Sequence, residues 1–162
     1  MQKNMVNKKM EKATFAAGCF WGVEEAFSKI KGVKETTVGY MGGDYENPSY
    51  EDVCSNKTGH AEVVEIKYEP EEITYEELLE KFWEIHDPTQ KNRQGPDVGT
   101  QYRSVIFYHN NEQKNKAEKS KKNLEKSNKY NKPIETEITD AKKFYKAEEY
   151  HQKYIKKNKR LF

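Results

Sequence analysis

Up to Tyr108 the chain changes its hydrophobic period in one order, and that order restricts the fold more than any other feature. Residues 12–17 (KATFAA) read as a short strand stopped by Gly18. From Cys19 to Ile30, apolar residues at 19, 20, 23, 26, 27 and 30 recur with helical spacing, and Gly32 supplies a C-terminal stop. Residues 33–40 (VKETTVGY) and 63–68 (VVEIKY) read as strands. Thr74 with Glu77 three residues later is a capping-box pattern, opening a helix whose apolar stripe is Leu78, Leu79, Phe82, Trp83 and Ile85. A last strand runs from Tyr102 to Tyr108. The order β-α-β-β-α-β is the ferredoxin-like pattern of an α+β fold. Right-handed crossovers then place both helices on one face of an antiparallel-leaning sheet. Beyond this core the sequence predicts a lysine-rich helix over 111–129, a strand over 134–138 (IETEI) and an aromatic-bearing tail with helical potential over 141–157.

Two stretches interrupt the periodic pattern. Residues 41–60 and 87–101 (DPTQKNRQGPDVGTQ) are too long to be idle connections in a compact domain. Leu, Ile, Val and Phe make up only 28 of 162 residues, a fraction that signals disorder when net charge is high. Here the net charge is +2, and 11 Tyr, 7 Phe and 2 Trp add large buriable surfaces. The expectation is one folded, highly charged domain spanning 1–162, with residues 1–10 loosely held. No apolar run approaches the ~20 residues of a membrane span. MQKNMVNKKM lacks the apolar core of a signal peptide, which points to the cytoplasm and to no membrane partner.

Charge is unevenly placed. Segment 62–84 carries nine Glu against two Lys, and 114–132 eight Lys against two Glu. Solvated helix faces explain both runs. The lysines scatter around a helix instead of forming a stripe, which argues against a nucleic-acid partner. His60, His86, His109 and His151 are dispersed, and no CxxC exists, so no metal site is expected.

The sharpest local signal is Gly18-Cys19-Phe20-Trp21-Gly22. A cysteine between a strand and the first helical turn meets unpaired N–H groups and the positive dipole end, both of which favour thiolate. The flanking aromatics would form a dry recess beside the sulfur. A buried structural cysteine is the alternative reading of such a residue in isolation. Sulfur chemistry that expels oxygen also needs a proton donor. Glu62 opens a strand after Gly59-His60-Ala61, where burial would raise its pKa and keep it protonated; a solvent-facing strand glutamate is the competing reading. Tyr50, Tyr102 and Asp97 sit in or beside the long loops, where site residues concentrate. Besides Cys19 only Cys54 is present, so no disulfide framework exists.

Together with Tyr50-Glu51-Asp52-Val53-Cys54, Thr58-Gly59-His60-Ala61-Glu62, Gly95-Pro96-Asp97-Val98-Gly99-Thr100-Gln101-Tyr102-Arg103-Ser104 and the tail Phe144-Tyr145-Lys146-Ala147-Glu148-Glu149-Tyr150-His151-Gln152, the cysteine motif resembles the peptide methionine sulfoxide reductase A family over roughly residues 12–157. The resemblance implies reduction of methionine S-sulfoxide, free or in peptides and proteins, by an enzyme without a bound cofactor. It implies Cys19 as nucleophile and Glu62 as the acid that protonates the sulfoxide oxygen. Phe20 and Trp21 match the pocket for the substrate's ε-methyl group, Tyr50 and Tyr102 the phenols on the oxygen, and Asp97 a supporting residue. Many family members resolve the resulting sulfenic acid with cysteines in a C-terminal tail; HQKYIKKNKRLF has none. A one-cysteine cycle is therefore expected, closed by an external thiol such as glutathione with glutaredoxin, or by a thioredoxin-type dithiol. The alternative is resolution by Cys54, which requires the two Cα atoms within ~7 Å. Rival classes are a redox-sensing or peroxidase-like cysteine protein and a nucleic-acid-binding ferredoxin-like module.

Overall fold

The computed structural model describes residues 9–158, so most of the N-terminal stretch expected to be loose lies outside the described residues. In chain order the elements are β1 (Glu11–Ala17), α1 (Phe20–Ser28), β2 (Val33–Met41), α2 (Tyr50–Cys54), β3 (Ala61–Tyr68), α3 (Tyr75–Glu84), β4 (Arg93–Gln94), β5 (Asp97–Val98), β6 (Ser104–Tyr108), α4 (Asn111–Lys126), β7 (Glu137–Asp140), β8 (Tyr145–Lys146) and α5 (Tyr154–Lys157). Single 3-10 turns cover Thr100–Tyr102 and Glu149–His151. The α+β class is as expected, on a mixed sheet of order β7-β6-β1-β3-β2-β8. Every neighbouring pair is antiparallel except β6 with β7.

Alternation along the strands sorts side chains onto two faces. Ala13, Phe15 and Ala17 of β1, Val38 and Tyr40 of β2, Val64, Ile66 and Tyr68 of β3 and Ile106 of β6 form one core with Phe20, Val23 and Phe27 of α1, Leu78, Leu79 and Phe82 of α3 and Ala117 of α4. The helices thus share one face. Phe15 is its centre, stacked on Phe27 at 5.3 Å and on Phe82 at 5.2 Å between ring centroids. The Thr74–Glu77 capping box forms as the sequence predicts. On the opposite face Ala16, Met41, Ala61, Val63, Val105 and Phe107 are covered by Ala141 and Phe144.

That second layer comes from the connection between the two edge strands. Six strands at ~4.8 Å spacing would hold β7 and β8 roughly 24 Å apart in a flat sheet. The chain from Asp140 to Tyr145 can stretch only about 18 Å. The sheet must therefore curl so that its edges approach, and residues 141–144 cross the concavity. Gly39 is the contact point: a Cβ there would collide with the Tyr145 carbonyl and the Phe144 ring.

The C-terminal region departs from the sequence reading. The strand expected over 134–138 forms at Glu137–Asp140, and the tail expected to be helical is mostly irregular, with one turn at Tyr154–Lys157. Its residues follow contacts instead of a period. Gln152 accepts from the Val38 N–H and donates to the Val38 and Ala147 carbonyls, extending the sheet edge with a side chain. Lys153, in left-handed backbone geometry (φ 55°), gives its N–H to Glu24 Oε1 at 2.7 Å and its ammonium to Glu24 Oε2 and the Thr36 carbonyl. This clamps the tail to α1. The expected loop over 87–101 also holds a two-strand hairpin, β4–β5, turning at Gly95-Pro96.

Candidate active site

Cys19 occupies the N-cap position of α1, which starts one residue later, at Phe20, than the Cys19–Ile30 helix that the periodicity predicts. Gly18 before it has φ +103°, and a Cβ there would lie 2.9 Å from Gln94 Cγ. Only glycine allows the left-handed turn and the approach of the β4–β5 hairpin together. Gln94 in turn fixes that hairpin, accepting from the Asp87 N–H and donating to the Asp87 carbonyl. Asp97 on β5 is thereby brought close enough to influence both Cys19 and Glu62 electrostatically.

Glu62 lies opposite Tyr40 in the β2–β3 register, on the helix-facing side of β3. It is 1 % exposed. Its Oε1 accepts the Phe20 N–H at 3.1 Å, occupying one open donor of the α1 N-terminus, while Oε2 is buried without a hydrogen-bond partner among the described residues. Burial pushes its pKa up to about 8 against the pull of that N–H, so the acid is protonated at neutral pH as the sequence leads one to expect.

Cys19 behaves differently from expectation. The Trp21 and Gly22 N–H groups do lower its pKa, but no capping hydrogen bond forms, and desolvation followed by the neighbouring Glu62 carboxylate raises the thiol to about 11. The helix N-terminus makes a real contribution, and two larger ones oppose it. In the free site the sulfur is a half-buried thiol, not a poised thiolate.

The two tyrosines converge on the same place from different loops. Tyr50 opens α2, whose N-terminus carries a Ser49–Asp52 capping box, and its N–H donates to Glu148 Oε2 at 2.9 Å. Glu148 also accepts the Tyr40 hydroxyl. His60 pins the loop behind α2, accepting the Gly43 N–H at Nδ1 and reaching the Tyr45 carbonyl through Nε2. Tyr102 stands in the 3-10 turn just before β6. Burial and Glu62 raise Tyr102 to about 12, and burial with the adjoining Cys54 raises Tyr50 further. Both phenols therefore remain donors across the neutral range.

Phe20 is buried, whereas Trp21 is half-buried. Cys54, at the C-terminal end of α2, is exposed; the Tyr50 hydroxyl and the Gln101 side chain lie against its thiol, and Tyr102 feels both Cys54 and Cys19. Cys19, Phe20, Tyr50, Cys54, Asp97 and Tyr102 are thus gathered around the Glu62 carboxyl group, whereas Trp21 contacts His151 and Tyr154. Sequence reasoning passed over Glu148 and Gln101, which position α2, and the only signal for them was their place inside the quoted motifs. His86 lies away from this cluster, bridging the Phe82 carbonyl and Ser104, with burial holding its pKa down to about 4. Among the described residues no group of three or more His, Cys, Asp or Glu is placed to hold a metal ion, and no helix is long and apolar enough to cross a membrane. The α4 lysines are partly engaged: Lys116 pairs with Glu76 and Glu112, and Lys121 donates to the Thr136 carbonyl.

Residues 11–161 match the family described as peptide methionine sulfoxide reductase. The chain is 60% identical over 156 residues to the peptide methionine sulfoxide reductase MsrA of Methanothermobacter thermautotrophicus, covering 96% of this chain and 92% of that one. Among solved structures it resembles the reduced form of Mxr1 from Saccharomyces cerevisiae, with a TM-score of 0.89 and 39% identity over 96% of this chain and 90% of that chain. It also resembles Mxr1 in complex with Trx2, at a TM-score of 0.64 and 29% identity over 91% of this chain and 86% of that chain. With a cysteine, a buried acid and two phenols drawn together at the head of α1, the chain belongs to the peptide methionine sulfoxide reductase family and is an oxidoreductase acting on methionine sulfoxide.

Proposed function

We propose that this site reduces the S epimer of methionine sulfoxide, free or in proteins, through a sulfenic acid on Cys19. The observation that carries the reading is Glu62: a buried carboxylic acid, protonated at neutral pH, with one oxygen unpartnered beside the cysteine. Oxide is a poor leaving group, so the S–O bond breaks only as oxygen gains a proton. In the proposed step Glu62 gives its proton to the sulfoxide oxygen, with Tyr50 and Tyr102 donating hydrogen bonds to it. The Cys19 sulfur loses its proton, attacks the substrate sulfur and takes over the oxygen. The thiol proton replaces the one Glu62 gave. The substrate sulfur is reduced by two electrons, the cysteine sulfur is oxidised by two, and the products are methionine and Cys19–SOH. Phe20 and Trp21 receive the methyl group, and Asp97 supports the hairpin side of the site.

The buried acid beside Cys19, with one oxygen unpartnered, favours this reading over a redox sensor or peroxidase, which need no such acid. Those functions need a standing thiolate. Here burial holds the thiol protonated in the free site, and the proposed proton transfer from Glu62 to the sulfoxide oxygen makes the substrate sulfur electrophilic enough to draw its attack. The four central strands, ordered β6-β1-β3-β2, support a ferredoxin-like core in a single domain. Two unpaired cysteines fit a cytoplasmic setting, where thiols are kept reduced.

For regeneration we propose an external thiol acting on Cys19–SOH. The Mxr1–Trx2 complex supports a thioredoxin-type reductant, and glutathione with glutaredoxin fits a sulfenic acid that first becomes a mixed disulfide. No bound cofactor enters this cycle. Cys54 beside Tyr50 is a second available attacker. Counting thiols separates the two. Mixed with excess sulfoxide and no reductant, the protein should release about one methionine per chain and lose one thiol, and dimedone should label Cys19. Loss of two thiols with a dimedone-resistant Cys19–Cys54 bridge would replace the one-cysteine cycle.

A further inference from the structure

Trp21 is held from two sides. Its ring stacks on Tyr154, with centroids 3.8 Å apart and planes 9° from parallel, and its Nε1–H donates to His151 Nδ1 at 2.9 Å. An indole N–H only donates, so Nδ1 is the accepting nitrogen and a neutral His151 carries its proton on Nε2. His151 is 1 % exposed and surrounded by the rings of Phe20, Tyr50 and Tyr150 at 5.2, 4.5 and 4.1 Å. Burial lowers its pKa, with Glu148 opposing, which keeps the neutral form.

The other ring nitrogen is revealing. Nε2 is buried with no hydrogen-bond partner among the described residues. An unpaired buried donor is destabilising, and phenylalanine would fill the same aromatic surroundings without one. Packing alone therefore does not call for histidine here. What histidine adds is the acceptor for Trp21. The surrounding tail is anchored independently of that bond, through Glu148 to α2, Gln152 to β2 and Lys153 to Glu24 of α1. The acceptor is thus presented by a fixed frame.

We infer that His151 is a positioning residue: by accepting the Trp21 indole N–H it sets the rotation of that ring, and with it the width of the recess that separates a methyl sulfoxide from a larger alkyl sulfoxide. The inference rests on the proposed pocket role of Trp21. A half-buried indole stacked on one face can still swing about its χ angles, and the bond to His151 removes that freedom. One added methylene is worth roughly 10- to 200-fold in a well-shaped apolar pocket, so a loosened wall shows first as lost discrimination.

The test compares kcat/KM for methionine and ethionine S-sulfoxides, with dithiothreitol as reductant, in the unsubstituted protein, Trp21→Phe, His151→Phe and the double variant. Trp21→Phe keeps an aromatic ring and removes the N–H. The methionine-to-ethionine ratio should fall about five- to tenfold in each single variant, the factor expected for one hydrogen bond. The double variant should fall no further, because both substitutions remove the same bond. If His151→Phe fails to fold, His151→Asn takes its place with the opposite expectation: its Oδ1 stands where Nδ1 accepts and should hold the ratio within about twofold of the unsubstituted protein. A ratio unchanged by His151→Phe, or effects that multiply in the double variant, would overturn the positioning role while leaving the pocket intact. A His151→Asn ratio as low as that of Trp21→Phe would do the same. A ratio unchanged by Trp21→Phe would remove Trp21 from the pocket and the inference with it.

Discussion

Cys19→Ser should abolish methionine release even in a single turnover with excess sulfoxide. The whole electron balance of the proposed step passes through one sulfur: it attacks, accepts the oxygen and leaves as a sulfenic acid. Serine keeps the helix N-cap position and would even cap better than cysteine, so fold and melting temperature should be retained or improved. Its hydroxyl near neutral pH is a far poorer nucleophile, and oxygen cannot take up the sulfoxide oxygen to form a stable product. Cys54→Ser is the matched control. A serine hydroxyl can still interact with Tyr50 and Gln101, so dithiothreitol-driven turnover should stay within about threefold of the parent, a loss below one hydrogen bond's worth. Substantial turnover by the Cys19 variant would move the nucleophile elsewhere in the chain.

Cys19 and Glu62 were each legible in their own segments, but their meeting was not. The helix behind Cys19 was legible because Phe20, Val23 and Phe27 repeat at helical spacing, and the strand carrying Glu62 because Val64, Ile66 and Tyr68 alternate. Local pattern therefore placed a thiol at a helix N-terminus and an acid at a strand opening. It did not place one against the other. The Phe20–Glu62 hydrogen bond spans 42 residues, and through it the carboxyl lies beside the thiol whose pKa it raises. A helix dipole is visible in a single segment, whereas desolvation and a neighbouring charge exist only once the sheet has closed. The tail illustrates the same limit. Gln152 and Lys153 replace secondary structure with side-chain bonds to Val38, Thr36 and Glu24, and such bonds carry no period. Residues 141–157 therefore read as a tail with helical potential, although most of them serve as a strap.

Glu62→Gln should slow the chemical step by roughly 10²- to 10⁴-fold, the range for a positioned general acid, with a smaller change in substrate binding. The amide still offers an N–H to the sulfoxide oxygen, but it cannot hand over a proton. The deficit should be greatest below pH 8 and shrink above it. There the native carboxyl is ionised, cannot donate, and opposes loss of the thiol proton from Cys19. Stability gives an independent reading of the same group. Its pKa rises from the ordinary glutamate value of 4.5 to about 8 on folding, so the folded protein binds more protons than the unfolded chain between those values. The stabilisation is present below pH 4.5 and is lost as pH rises through 8. Across that window the parent should lose stability relative to Glu62→Gln by at most about 1.4 kcal/mol per pH unit, the limit for one linked proton. Melting curves of both proteins at a series of pH values test the sign directly. A difference independent of pH would mean that Glu62 titrates as an ordinary surface carboxylate, and single-turnover rates equal to the parent would leave it a strand residue with no part in proton transfer.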